Sequence, residues 1–350
     1  VSSRFEIRAA TLADEDMLLE LARYLDSVNL PADRAAIRRI LDLSERSFRG
    51  DVADFRQHEY VFVLYDRVAK RAVGTSLVVA QLGRRDAPYI YFDVRVEERY
   101  SATLDRHFAH DVLSIGYSYD GPTEIGGLVV HPDCRRSPEK LGMLVSYVRF
   151  LFIAAHRDRF QSRVLAELLP PLEADGTSHL WEAVGRHFTG LTYREADRLS
   201  KQNKEFIRGL FPDGDIYVSL LSPQARSVIG CVGPQTRGVE KLLRRIGFRY
   251  WHRVDPFDGG PHFVADTAEV TLIRRTERLR AELAAPPMDA PRALVAVEQA
   301  DAPYFRAQAL PFQRGEGATV ALPPNDLASP GDLVLLLPLD LASAGAEATN

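Results

Sequence analysis

Residues 123–160 read TEIGGLVVHPDCRRSPEKLGMLVSYVRFLFIAAHRDRF, and the order of residue types in this run decides the fold class. Ile125, Leu128, Val129 and Val130 make a short apolar, β-branched segment, which stops at His131-Pro132-Asp133 because proline cannot donate to a β-ladder. The polar residues that follow carry Arg135, Arg136 and Lys140. From Gly142 onward Leu144, Val148, Leu151, Phe152 and Ala155 recur at helical spacing. The pattern predicts a strand, a basic turn and a helix that starts near Gly142. The first turn of such a helix presents unpaired N–H groups and the positive end of the helix dipole, which suits an anion.

Two anion-binding turns are excluded by spacing. GxxxxGK[ST] is absent, and so is GxGxxG with an acidic residue about 20 positions on. The acyl-coenzyme A turn of the GNAT-type N-acyltransferases remains, in which a strand holds the thioester and the next helix start holds the pyrophosphate. An ordinary βα unit with a basic, solvated loop fits the same residues.

Working outward, 350 residues suffice for one large domain with an appendage or for two units, each with its own core. The 44 Lys+Arg against 48 Asp+Glu leave a slightly negative chain with dispersed arginines, so no nucleic-acid partner is expected. Two cysteines, Cys134 and Cys231, supply neither a metal-ligand spacing nor a disulfide framework, so no metal is expected. Cys231 reads as a small buried filler. No apolar run reaches the ~18 residues that span a membrane and VSSRFEIRAA lacks a signal-peptide core, so a cytoplasmic protein with no membrane partner is expected.

Upstream, strands are predicted at 5–8, 60–65, 72–79 and 89–99, and helices from 14 to 22, over 33–43 and over 104–113. Downstream come a strand at 163–168, helices near 178–188, 193–210, 222–229 and 236–246, then strands at 248–254 and 264–273. Residues 284–292 are rich in Ala and Pro and read as a linker. The expectation is an α+β, GNAT-type mixed sheet over 1–283, a small β-module of short strands over 293–341 and a disordered tail over 342–350.

The chain resembles the arginine N-succinyltransferases of bacterial arginine catabolism over nearly its whole length. The resemblance is carried by Glu124 with Leu128, Asp133-x-Arg135, Ser146, Arg149-Phe150 and Ala155-x-Arg157-Asp158-x-Phe160. Trp181, Gly185, Ala196-Asp197, Pro234-Gln235-Thr236, Gly247-Phe248-Arg249-Tyr250 and Phe257-Asp258-Gly259-Gly260-Pro261 extend it. It implies an enzyme that moves a succinyl group from succinyl-CoA, a co-substrate rather than a permanently bound cofactor, to the α-amino group of arginine or ornithine. It also carries a succinyl-CoA contact onto Leu128 and admits a homo- or hetero-oligomer. The chain departs from the family where a proton-donating His stands before Pro-Gln-Thr, since Gly233 occupies that place. It departs again where Thr-Ser-Leu-Pro is replaced by Val28-Asn29-Leu30-Pro31, and in a turn at 137–140 about two residues longer than the compact form. A non-catalytic partner subunit and an acetyl-CoA-dependent amine acetyltransferase are the rival functions.

Acylation needs a free amine, whereas an α-ammonium with a pKa of about 8 or above is largely protonated at neutral pH, so a nearby base or water chain helps. Glu124, at the start of the strand, is the candidate; a surface carboxylate or a salt-bridge partner is the plain reading. Coenzyme A is expected at Leu128, Val129, Val130, Arg135, Arg136, Lys140, Leu141 and Gly142, with backbone N–H groups of the strand facing the thioester oxygen. Arg135, Arg136 and Lys140 fit a solvated face as well. The amino-acid substrate is expected at Asn29 and at Asp258, Gly259 and Gly260, through a carboxylate and exposed carbonyls; a tight turn explains Asp-Gly-Gly equally. His131, at the strand end, and His262, after the Gly-Gly-Pro turn, could each stand near the acceptor, yet a lone histidine reads as structural.

Overall fold

The computed structural model describes residues 3–24, 30–84, 87–173, 175–200 and 203–340. Asn29 and the tail 342–350 lie outside the described residues. The chain divides into two compact units, the first of Val1–Ala80, Ile125–Gln161 and Ala268–Asn350, the second of Gln81–Glu124 and Ser162–Thr267.

In chain order the first unit opens with β1 (Phe5–Ala9), α1 (Glu15–Ala22), α2 (Arg34–Arg49), β2 (Glu59–Asp66) and β3 (Arg71–Val79). The second takes over with β4 (Tyr89–Ser101) and β5 (Arg106–Ser118). β6 (Thr123–Val130) begins in the second unit and ends in the first, where α3 (Leu141–Ala155) follows. The second unit resumes with β7 (Arg163–Glu167), α4 (His179–Ala183), α5 (Gly185–Thr189), α6 (Tyr193–Ser200) and α7 (Glu205–Leu210). It continues through β8 (Ile216–Tyr217), α8 (Pro223–Val228), α9 (Arg237–Arg245), β9 (Arg249–Val254) and β10 (Pro261–Asp266). The first unit closes with α10 (Thr271–Arg274), β11 (Glu277–Leu283), β12 (Arg292–Glu298), β13 (Phe305–Pro311), β14 (Gln313–Arg314), β15 (Thr319–Leu322) and β16 (Leu333–Pro338).

Within the first unit the strand order is β14-β15-β11-β16-β12-β13-β1-β2-β3-β6. The β11–β15 pair is parallel, whereas β1 is antiparallel to both β13 and β2. Leu18 and Leu21 of α1 and Ile37 and Leu41 of α2 form one core with Val61, Val63, Leu77 and Val129 of the sheet. Asp33 caps α2 through its bond from the Ala36 N–H (2.7 Å), and Gly50 ends it at φ +79. The helix therefore runs six residues past the expected end at 43, to the glycine that can take the left-handed cap. α3 is buried from Leu144 to Ile153, which explains why it is apolar almost all round.

Three expectations are corrected here. Residues 104–113 are not a helix: β5 pairs with β4 from Tyr89↔Ser118 to Ser101↔Arg106, around a turn with Asp105 at φ +45. Leu104, Phe108 and Val112 imitate a helical spacing, but thirteen consecutive cross-strand pairs prevail over it. The strand expected at 264–273 is β10, which ends at Asp266 before a 3-10 turn and α10. The strands expected as a separate module are part of the first unit, because β13 pairs with β1 and β16 with both β11 and β12. Residues 284–291 thus connect two strands of one unit, and their apolar faces share a core that includes Leu279, Val295, Leu310 and Leu336.

The second unit orders its strands β7-β10-β9-β4-β5-β8, and Thr123 and Glu124 of β6 pair in parallel with Val164 and Leu165 of β7. Its core gathers Phe92, Leu113, Leu180, Phe211 and Val254 around Trp181, whose ring stacks on Phe257 at 5.0 Å. The helix expected over 178–188 is broken into α4 and α5 at Val184.

Candidate active site

In the first unit β6 carries a backbone irregularity at its centre. Gly127 has φ +56, and a Cβ there would approach Leu77 Cδ2 to 2.9 Å, so only glycine fits. Gly126 and Leu128, on either side, are half-exposed, while Val129 and Val130 turn their side chains into the core. The strand is held to β3 by the bond from the His131 N–H to the Val73 carbonyl (2.8 Å). Gly127→Ala should lower unfolding free energy by about 1–3 kcal/mol, read from urea denaturation, because a side chain is forced into the left-handed region. An unchanged midpoint would show that the irregularity is not needed for stability.

The turn ends at Lys140, which caps α3 in a left-handed conformation, φ +55, without a side-chain hydrogen bond. Arg135, Arg136 and Lys140 are exposed. Arg135 donates from Nε to the Val130 carbonyl (3.0 Å), while the side chains of Arg136 and Lys140 have no partner among the described residues. Leu141 is buried in the core. Gly142 differs from Gly127: a Cβ there would touch only Val130 Cγ2 at 3.9 Å, so the fold itself does not demand glycine.

Arg149 sits on α3 at 2 % exposure. It donates from Nε to the Ser146 carbonyl (3.1 Å), from Nη2 to Ser146 Oγ (2.7 Å) and from Nη1 to the Gly126 carbonyl (3.5 Å). Burial alone pushes its pKa down to about 9.

In the second unit the antiparallel register His262↔Glu167 sets the first residues of β10 against the end of β7. The carboxylates of Glu167 and Asp255 and the His262 ring bring their ligating atoms within 4.8 Å of one another. His262 is fully buried; its Nδ1 shares a hydrogen bond with the Tyr89 hydroxyl (2.6 Å). Its Nε2 lies 3.5 Å from Glu167 Oε1 and has no hydrogen-bond partner among the described residues. Burial, aided by the nearby cations Arg253 and Lys204, holds His262 neutral, with its pKa down to about 3.

The Glu167 side chain is one-third accessible, so it faces an open space rather than packed core. Its pKa is nevertheless raised well above the usual carboxylate range, first by desolvation and then by Glu124, Asp255 and Asp258. Asp255 is raised as well, chiefly by burial. Glu124 is 3 % exposed and so is not the surface carboxylate of the plain reading.

The turn after Asp255 is tied up by its own backbone. Asp258 Oδ1 accepts from the Gly260 N–H (2.7 Å), and the Gly259 and Gly260 carbonyls accept from the Gly230 and Asp255 N–H groups. Each of those two carbonyls thus has one partner inside the protein. Gly233 is explained by packing. A Cβ there would stand 2.6 Å from the Pro170 carbonyl oxygen, and its N–H donates to the Leu169 carbonyl (2.8 Å). The helix that follows, α9, begins at Arg237. Cys231 is exposed, not a buried filler.

Over residues 5–272 the chain matches the family described as arginine N-succinyltransferase beta subunit. It is 35% identical over 305 residues to an arginine N-succinyltransferase of Enterobacter sp. (strain 638), covering 86% of this chain and 87% of that one. It is 34% identical over 287 residues to an arginine N-succinyltransferase subunit beta of Pseudomonas aeruginosa, covering 81% and 83%. This chain belongs to the arginine N-succinyltransferase family. A solved structure of the family, the arginine/ornithine succinyltransferase subunit AI from Pseudomonas aeruginosa, superposes with TM-score 0.82 at 29% identity over 96% of this chain and 99% of that one. The fold is α+β, a mixed sheet with helices, and it is the fold of that family structure. The described residues include no helix long and apolar enough to cross a membrane.

Proposed function

We propose that the protein transfers a succinyl group from succinyl-CoA to the α-amino group of arginine or ornithine. The observation that carries the reading is the course of β6, which is accessible at Gly126 and Leu128, irregular at Gly127 and followed by the start of α3. Leu128 takes the thioester, and backbone N–H groups beside it stabilise the developing oxyanion. The pyrophosphate rests on the first turn of α3, with Arg136 and Lys140 as its cations and Gly142 leaving room.

The acceptor is a cation, and the carboxyl groups of Glu167, Asp255 and Asp258 are its partners in the second unit, with Glu167 giving up its proton as the cation binds. Glu124 takes the ammonium proton, which frees the amine to attack the thioester carbonyl; the tetrahedral intermediate then expels coenzyme A thiolate, which takes up the second nitrogen proton as the amide forms. A thiolate with a pKa near 8.5 leaves without a dedicated acid, so a glycine at 233 is compatible with turnover. A coenzyme A donor implies a cytoplasmic protein. The same Gly233 favours a second reading, a partner subunit that works beside a related chain, and relatives named as subunits support an oligomer.

Calorimetry with coenzyme A and succinyl-CoA tests the proposal. Binding is expected for both, and Gly142→Val should weaken it about tenfold, or about 1.4 kcal/mol, with little effect on folding. Absence of heat from either ligand at millimolar concentration contradicts the acyl-CoA reading.

A further inference from the structure

Arginine is almost never fully buried unless it is paired. In the first unit Arg8 meets Asp14 at 2.6 Å and Arg306 meets Glu6 at 2.6 Å, whereas the partly buried Arg157 and Arg275 each keep a buried Nη1 without a hydrogen-bond partner among the described residues. Arg149 is more deeply buried than any of these. Among the described residues every group that accepts from Arg149 is neutral: the Ser146 carbonyl and hydroxyl and the Gly126 carbonyl. The last of these bonds, from Nη1, is 3.5 Å long, the limit of a hydrogen bond, and it ends on a residue that is half-exposed on β6.

The guanidinium therefore reaches from α3 to the stretch of strand on which the proposed thioester lies, with no acidic partner among the described residues. We propose that Arg149 receives the terminal carboxylate of a dicarboxylic acyl group and so sets the preference for succinyl over acetyl thioesters. This rests on the acyl-CoA reading of β6. A succinyl carboxylate would take up the Nη1 edge in a charge-assisted pair, offsetting the cost of a buried cation; an acetyl group leaves that cost in place. No covalent step at Arg149 is involved. If the residue only propped up the Gly126 carbonyl, its loss would slow all acyl donors alike.

The test is the ratio of kcat/KM for succinyl-CoA to that for acetyl-CoA, measured with arginine for the full chain and for Arg149→Met. The ratio is expected to fall about 100-fold or more in the variant, the penalty of leaving one member of a buried charge pair alone. An unchanged ratio overturns the assignment. The wild-type chain supplies an independent arm that survives a variant that fails to fold, using the neutral amide isostere of succinyl-CoA. Discrimination of about 100-fold against the amide supports a charged receptor, and equal use of amide and acid overturns it. If acetyl-CoA is used and succinyl-CoA is not, Arg149 has been misassigned while the acyl-CoA reading stands. If no thioester is used at all, that reading fails and this inference falls with it.

Discussion

Glu124→Gln should lower kcat for acyl transfer by about 100-fold or more while leaving coenzyme A affinity within about twofold, as expected for removal of a general base. The argument rests on what is scarce in the reaction. A protonated α-ammonium has no lone pair, so the amine must lose its proton before it can attack, whereas coenzyme A leaves readily as a thiolate. Glu124 is buried at the start of β6, and its charge is felt by Glu167, so it works among acids that already attract a cation. Gly233 has no side chain to share that work, and a His introduced there would need the Pro170 carbonyl to move. Steady-state kinetics together with a coenzyme A titration separate the two effects. A silent Glu124→Gln removes Glu124 from the mechanism.

Glu167→Gln should make the protein more stable at pH 8 and at the same time raise KM for the amino-acid acceptor. The sign follows from linkage. The folded chain holds the Glu167 proton to higher pH than the unfolded chain, where the pKa is about 4.3. As pH rises above that value the unfolded state loses its proton while the folded state keeps it, so stability falls until the folded-state pKa is passed. A glutamine never pays that cost. The gain in melting temperature should be largest at neutral and alkaline pH and vanish below about pH 4, where both states are protonated. The acceptor's cation, in turn, loses a carboxyl group that ionises to pair with it. Equal melting temperatures for both chains at pH 8 would show that Glu167 is not strained by its neighbours, and an unchanged KM would place the acceptor elsewhere.

The strand, turn and helix over 123–160 were legible because each signal is local: Pro132 stops the strand, and a basic segment precedes apolar residues at helical spacing. The hairpin was not legible, since Leu104, Phe108 and Val112 carry a helical spacing that only pairing with β4 overrules. The acid cluster was hidden for a related reason. Glu167 ends one strand and His262 begins another, and nothing local announces that they stand opposite each other. Treating the two predicted strands as antiparallel neighbours would have exposed the pair. Arg149 left a plainer trace, a lone cation in the run LVSYVRFLFIAA. The glycines 233, 259 and 260 answer to backbone approach and turn geometry, which residue type alone does not separate from a role toward substrate.

The most direct measurement is thiol release when the chain is mixed with succinyl-CoA and arginine, with the product weighed by mass spectrometry. The account predicts one coenzyme A thiol freed for each N-succinylarginine formed, and no release when arginine is omitted. A chain that binds succinyl-CoA yet frees no thiol until a related chain is added would contradict it and make this protein a partner subunit instead.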